Sequence, residues 1–436
     1  MNPSTPPSFL KEKNLAMGLT RKNLINDFLV IYAFSLPISR TAVSMLGMLI
    51  PLLWLCRKGI GADVRLLKKS PTFLALLGIA GFHLLSFLWT RDLTFGLSNS
   101  KTFFYWCLIP VIATRCSRED LEELSRAFIA GVTYSAAITY CIMAGLFTYR
   151  DSTPLYPSPF MSYIEFSFFL ALAGLILIHQ GLTLGKDLKS SRGLLKLGQI
   201  FFIVILLFSI NGRSGQIGFI AGLLTLMLVH FRSGLKTFML ACGAIGMILV
   251  IAFQANPLFH QRVITTYNEI SKIRHAEYDS SLGMRIGAWR VGLAMISERP
   301  LLGSGIGDAL QDFQDTIKTM PRYQASAWFP HMHNQYIQTA VQVGLVGLLL
   351  CLVFFRLFLT MPLPDPATRV LRTTFVTLFL FACLGEPLWI KQLSNGLFTL
   401  FTGIYLSYSL QPTPGASTGA PKGPQHPRAY QPEAVA

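Results

Sequence analysis

The run Pro330-His331-Met332-His333-Asn334 sets two histidines two positions apart, directly before an apolar stretch. A neutral imidazole can take a proton near physiological pH, so the run is a candidate general base. Two other readings stand beside it. One is a metal site, but histidines two apart face apart on a helix, and no nearby carboxylate or cysteine completes a ligand set. The other is an interfacial histidine satisfied by backbone.

A second candidate is Asn211-Gly212-Arg213-Ser214-Gly215, which interrupts an apolar stretch near mid-chain. A charge at or near hydrocarbon is costly, so Arg213 is a functional candidate. The alternative is an arginine snorkelling to the interface. Arg285 and Arg290 fall on a predicted helix that starts at the capping run Asp279-Ser280-Ser281 and stops at Pro300. Ile286, Trp289, Leu293 and Ile296 follow at spacings of three and four, which predicts one apolar face. Arg285 lies at the edge of that face. Arg290, five residues on, points elsewhere and is kept as a candidate substrate contact. Glu386 and Lys391 flank Pro387. They either pair with each other or meet substrate. Gly303, Gly305 and Gly307 form a turn. As a phosphate cradle the motif is weak, and close packing or positive φ explains it better. His83, His179 and His230 sit in or near the ends of apolar runs and read as structural. No metal and no cofactor is expected.

Elements of spanning length must position these residues. The chain has 436 residues, 52% hydrophobic and 13% charged, with mean hydropathy +0.49. A soluble chain would carry nearly twice that charged fraction. Apolar runs in hydrocarbon must be helices. The expected fold is an all-α polytopic membrane protein of about twelve spans. They lie near 24–39, 41–56, 71–90, 101–114, 122–148, 159–180, 195–210, 214–231, 236–255, 335–359, 368–388 and 391–410. Around them the chain divides into an N-terminal segment 1–23, helices over 24–255, a loop subdomain 256–334, helices over 335–410, and a tail 411–436. The tail is rich in Pro, Gly and Ala and is expected to be disordered.

The net charge of +16 first suggests nucleic acid. Most of it lies in short connections between apolar runs, so the positive-inside rule accounts for it, and no nucleic-acid partner is expected. Arg57, Lys58, Arg65, Lys68 and Lys69 mark the second connection, and Lys186, Lys189, Arg192 and Lys196 the sixth. Arg232 and Lys236 mark the eighth, and Arg369 and Arg372 follow the tenth span. All fall on the side of the basic N-terminus. Both termini are therefore expected in the cytoplasm, and the long loop in the periplasm. No cleavable signal peptide is evident. The seven cysteines contain no C-x-x-C pair and read as small buried apolar residues.

The run Gly283-Met284-Arg285, then Trp289, then Arg299-Pro300-Leu301-Leu302-Gly303-Ser304-Gly305-Ile306-Gly307 is similar to the loop of the O-antigen ligase and polymerase superfamily. The ligase-type motif is matched by His333-Asn334, nine residues, then Gly344-Leu345-Val346-Gly347. The superfamily's mid-chain Arg beside Ser is matched by Arg213-Ser214. The resemblance covers roughly residues 205–350, together with the helix count and the single large late loop.

The resemblance implies a C-type glycosyltransferase-like enzyme of the bacterial inner membrane, independent of metal and nucleotide. The implied donor is a glycan on undecaprenyl diphosphate. The implied acceptor is a sugar hydroxyl of lipid A-core, and membrane lipids surround both. His333 would be the base and Asn334 would orient. Arg213 and Arg285 would stabilise the leaving diphosphate with fixed charge and bidentate contacts. A single displacement would invert the anomeric centre. An O-antigen polymerase and a protein O-oligosaccharyltransferase share the loop motif. A lipid-linked glycan flippase would explain the spans equally well. A transporter should hold its charges at mid-membrane on broken helices, whereas this chain concentrates them in the loop and at a helix mouth.

Overall fold

The computed structural model describes residues 24–231 and 234–411. The segment 1–23, Arg232 and the tail beyond 411 lie outside the described residues. Helices account for nearly all regular structure among the described residues. In chain order they are α1 Leu24–Ser35, α2 Arg40–Leu55, α3 Ile60–Leu67, α4 Pro71–Leu85, α5 Leu93–Ser100, α6 Leu108–Arg115, α7 Arg118–Met143, α8 Tyr163–Leu184 and α9 Ser191–Ser209. Then come α10 Arg213–Phe231, α11 Leu235–Ala255, α12 Pro257–Arg274, α13 Ser281–Glu298, α14 Ala309–Lys318, α15 Gln335–Thr360, α16 Pro366–Ala382 and α17 Gln392–Leu410.

Side-chain caps set many of the boundaries. Ser117 and Asp120 form a reciprocal capping box at the start of α7. Ser70 caps α4 with Pro71 in its first turn.

Among the described residues, seven helices are long and apolar enough to cross a membrane, or eight if α2 and α3, which meet at 107°, form one broken span. The twelve expected spans also take in α1, α16 and α17, and the stretch 101–114. That stretch folds as a 3₁₀ segment, Lys101–Cys107, running into the short α6. Helix α17 is enclosed by the bundle and buries Ser394, Asn395, Thr399 and Thr402. A helix shielded from lipid by its neighbours need not be uniformly apolar.

Cysteine burial departs from the sequence reading. Cys56, Cys107 and Cys242 are exposed, while Cys116, Cys351 and Cys383 are buried. Cys56 lies at the end of α2, Cys107 at the end of the 3₁₀ segment and Cys242 within α11.

Helix α15 is broken at Val343 and Gly344. Gly344 has φ +68°, and a Cβ there would run into the Leu301 carbonyl. The break frees backbone groups, and the turn after α13 takes them up. Ser304 and Gly305 N–H donate to the Val341 and Gln342 carbonyls at 2.8 and 2.9 Å. In return, the Leu345 N–H donates to the Pro300 carbonyl at 2.8 Å. Ile306 and Gly307 N–H donate to Ser86 Oγ and Thr90 Oγ1. Every N–H from Gly303 to Gly307 therefore has a protein acceptor. None is left to cradle a phosphate. Asp308 completes the attachment, accepting from the backbone N–H of Arg91 and Asp92 and from Arg91 Nε.

Helix α13 begins at its cap Ser280 and ends before Pro300, as expected. Its packing face is different. The buried residues are Gly283, Gly287, Ala288, Val291, Gly292 and Met295, whereas Leu293 is 51% exposed. The small face wins because it lets the helix backbone approach Ser326 and Tyr323 at Gly287, and Ile337 and Met332 at Gly292. Of the large apolar residues only Leu293 turns outward, while Ile286, Trp289 and Ile296 stay half-buried, Ile296 against the loop's own core.

Candidate active site

His331 and His333 do not lie on a helix. They occupy the turn before α15, whose N-cap is Asn334. His333 has φ +49°, a left-handed conformation uncommon for a residue with a side chain. The turn brings the two imidazoles to 4.3 Å, centroid to centroid. The expectation that they face apart is thus overturned. So is the expectation that no carboxylate joins them, because Glu386 folds back from between α16 and α17.

Glu386 is fully buried. Its Oε2 lies 2.8 Å from His333 Nδ1. Its Oε1 lies 3.1 Å from Lys391 Nζ and 3.5 Å from His331 Nε2. The Lys391 contact has ion-pair distance without hydrogen-bond alignment, and Oε1 has no hydrogen-bond donor. Burial would raise this carboxyl, but the His333 hydrogen bond and the charges around it hold it down at about 2. An ionised carboxylate only accepts. His333 Nδ1 therefore carries the proton it donates, and in the neutral imidazole the lone pair is then on Nε2.

His331 has the complementary arrangement. Its Nδ1 accepts the His333 backbone N–H at 3.3 Å, so its own proton sits on Nε2, towards Glu386. Burial pushes His331 down to about 3, despite the pull of Glu386 in the other direction. It stays neutral and supports its neighbour.

Ligand atoms of His331, His333 and Glu386 come within 4.8 Å of one another, close enough in principle for a metal ion. The surroundings oppose a cation. Lys391 already sits on Glu386, and Arg285 lies within Coulombic reach of Glu386 and His331.

Asn334 is occupied at both ends of its amide. Oδ1 accepts the N–H of Tyr336 and Ile337, and Nδ2 donates to the Leu384 carbonyl at 3.2 Å. It ties the start of α15 to the end of α16, and so fixes the histidine turn against Glu386.

Arg213 heads α10, which packs between α8 and α16. Its Nη2 pairs with Glu269 Oε2 at 2.7 Å. Arg285 Nη1 donates to the Gly385 carbonyl at 3.3 Å, one residue from Glu386. Burial lowers Arg285, Arg213 lowers it further, and Glu386 and Glu269 pull it upward. Arg213, Arg285 and the histidine pair thus share one neighbourhood. Arg290 is exposed and takes no part in these contacts.

Two members of the site were not singled out in the sequence. Arg262 and Glu269 sit seven residues apart on α12, two turns along one face. Arg262 is lowered by burial and by Arg213, and feels Glu269, Tyr163 and Arg285. That seven-residue spacing was the available signal. It went unused because the helical reading of the loop began only at Asp279. Arg213 Nε and Arg262 Nε are both buried with no acceptor among the described residues.

Residues 199–352 match the family model described as O-antigen ligase. About a third of the chain is thus similar to the O-antigen ligase family. The matched stretch runs from α9 into α15 and holds Arg213, Arg262, Glu269, Arg285, His331 and His333. Glu386 and Lys391 lie beyond it. Family members are glycosyltransferase-like ligases and polymerases, which supports an enzyme's role. An uncharacterized protein of Haemophilus influenzae is 28% identical over 143 residues, covering 31% of this chain and 35% of that protein. The chain thus matches about a third of that relative's length.

Proposed function

We propose that the protein is an O-antigen ligase, transferring glycan from undecaprenyl diphosphate to a sugar hydroxyl of lipid A-core. The observation that carries this reading is one juxtaposition. A histidine with a free Nε2, oriented by a buried carboxylate, shares a neighbourhood with three arginines, two of which hold unused buried Nε–H donors.

In this reading His333 Nε2 takes the proton of the acceptor hydroxyl as its oxygen attacks the anomeric carbon. The bond from that carbon to the diphosphate oxygen breaks in the same displacement, so the anomeric centre inverts. Negative charge grows on the departing undecaprenyl diphosphate. Arg213, Arg285 and Arg262 meet it with fixed charge that needs no reorganisation. Glu386 holds the imidazole in the required tautomer and stabilises the imidazolium. Lys391 completes the charge balance around Glu386. Asn334 acts by holding the turn, and Arg290 is left as an outlying contact for a long glycan. The arginines take the place of a metal ion, and the diphosphate linkage supplies the driving force without a nucleotide.

The excess of Lys and Arg in the even-numbered connections supports an inner-membrane topology with the site facing the periplasm.

The lipopolysaccharide of a deletion strain tests the reading. Uncapped core with accumulated lipid-linked polymer is the expected result. A single repeat on the core would assign a polymerase instead.

A further inference from the structure

Far from His333, the C-terminal ends of α8 and α10 meet the N-terminal ends of α7 and α16. Along α8 this is roughly 24 Å from Tyr163 to His179. Two cavities of about 480 and 530 Å³ open here, sharing His179, Thr183 and Asp365 in their walls. Arg118 and Arg126 line one, and Arg369 and Arg372 line the other. No ion pair among the described residues involves any of the four. Two carboxylates, Asp365 and Glu122, share these walls with the four arginines. Asp365 is committed to capping α16, accepting from Thr368 N–H and Thr368 Oγ1 at 2.8 Å each.

Buried donors without acceptors mark this as a built site. Arg372 is 5% exposed. Its Nη1 is fixed on the Met361 carbonyl at 2.7 Å, yet its Nε has no partner. His179 is 4% exposed, and its Nε2, donor or acceptor according to tautomer, has no partner either. Arg118 Nη2 is a third such atom. Folded chains rarely leave buried donors empty, and guanidinium groups are suited to phosphate oxygens. The remaining wall is apolar, with Ile176, Leu371, Phe401, Ile404 and Tyr405.

We propose that these cavities bind the headgroup phosphate of an anionic phospholipid, with an acyl chain along the apolar wall. A free phosphate would use the arginines alone and leave that wall without a partner. A zwitterionic headgroup would bring its own cation to a place that already has four. The site is independent of the glycan-transfer reading, since no residue is shared.

The test is native mass spectrometry of the detergent-purified full chain, with melting temperature measured in parallel. Phosphatidylglycerol, phosphatidylethanolamine and inorganic phosphate are added separately. Retained phosphatidylglycerol and a raised melting temperature are expected. The exposed-residue variant Arg126→Gln/Arg369→Gln should bind it about a hundredfold more weakly, roughly tenfold for each lost charge-assisted hydrogen bond. Arg372→Gln should weaken it about tenfold. If that buried change prevents folding, the exposed pair carries the test. Equal retention of phosphatidylethanolamine, or unchanged binding by the exposed-pair variant, would overturn the proposal. Equal stabilisation by inorganic phosphate would assign a free-phosphate site and overturn it as well.

Discussion

Glu386 Oε2 accepts a hydrogen bond from His333 Nδ1 at 2.8 Å, across 53 positions of sequence. The contact fixes which imidazole nitrogen is free, and it makes Glu386 a positioning residue rather than a substrate contact. Glu386→Gln keeps the size and removes the charge. The turnover rate should fall by about 10²-fold, with KM for the lipid-linked donor little changed. Glu386→Asp should recover part of the rate. A rise in KM with kcat intact would place Glu386 on the substrate instead.

His331 makes a different prediction, about stability. Its ordinary value is 6.5, and burial holds it at about 3 in the fold. As pH falls below 6.5 the unfolded chain takes up a proton that the folded chain refuses. Stability should therefore drop with acid from about 6.5 towards 3. Glu386, held at about 2 against an ordinary 4.5, adds to the same slope below 4.5. The melting temperature of His331→Asn, followed against pH, should be flatter between 6.5 and 4.5 than that of the wild type. An unchanged slope would remove His331 from the account. His331→Ala is also not silent in catalysis, since it deletes the acceptor of the His333 N–H. A loss of about tenfold or less is expected from that one bond.

The arginines should separate by partner. Arg262→Ala should weaken donor binding by about tenfold or more, the worth of a charge-assisted bond. Arg285→Lys and Arg213→Lys should restore only part of what the alanine variants lose, because a point charge lacks the bidentate fork. Arg213→Ala also leaves Glu269, 8% exposed, without its partner. That unpairing costs about 3 kcal/mol. Arg213→Ala/Glu269→Gln should regain stability without regaining activity. Donor affinity and melting temperature measured on the same samples distinguish the two effects. Recovered activity in the double variant would mean that Arg213 is only structural.

Gly344 carries the junction between the glycine turn and α15. Gly344→Ala should destabilise by about 1–3 kcal/mol from backbone strain, and more where the Cβ meets the Leu301 carbonyl. A lower melting temperature with faster proteolysis near Leu301 is the expected pattern. A variant as stable as the wild type would mean the helix break is not held by this glycine.

Local signals carried much of this in the sequence. The Ser280 cap and Pro300 stop bound α13 where the structure has them. Arg213 was marked by its cost near hydrocarbon, and His333 by its place at a helix mouth. Long-range relationships were not legible. Nothing local says that Glu386 returns to the histidines, or that the turn at Gly303 fills a break at Gly344. The apolar period on α13 marked mostly half-buried residues, because the tightest contacts are made by Gly283, Gly287, Ala288 and Gly292, which carry no apolar period. Arg262 and Glu269 needed α12 to be recognised as a helix before their spacing had meaning.

The most direct measurement is glycan transfer by the purified protein in the presence of a chelator, with lipid-linked donor and lipid A-core acceptor, comparing wild type with His333→Ala. The wild type should transfer at its full rate. His333→Ala should lose at least about 10²-fold while still binding the donor. Transfer that survives in His333→Ala would contradict the account. So would wild-type activity that is lost in chelator and restored by a divalent metal, which would make His331, His333 and Glu386 a metal site rather than a base and its support.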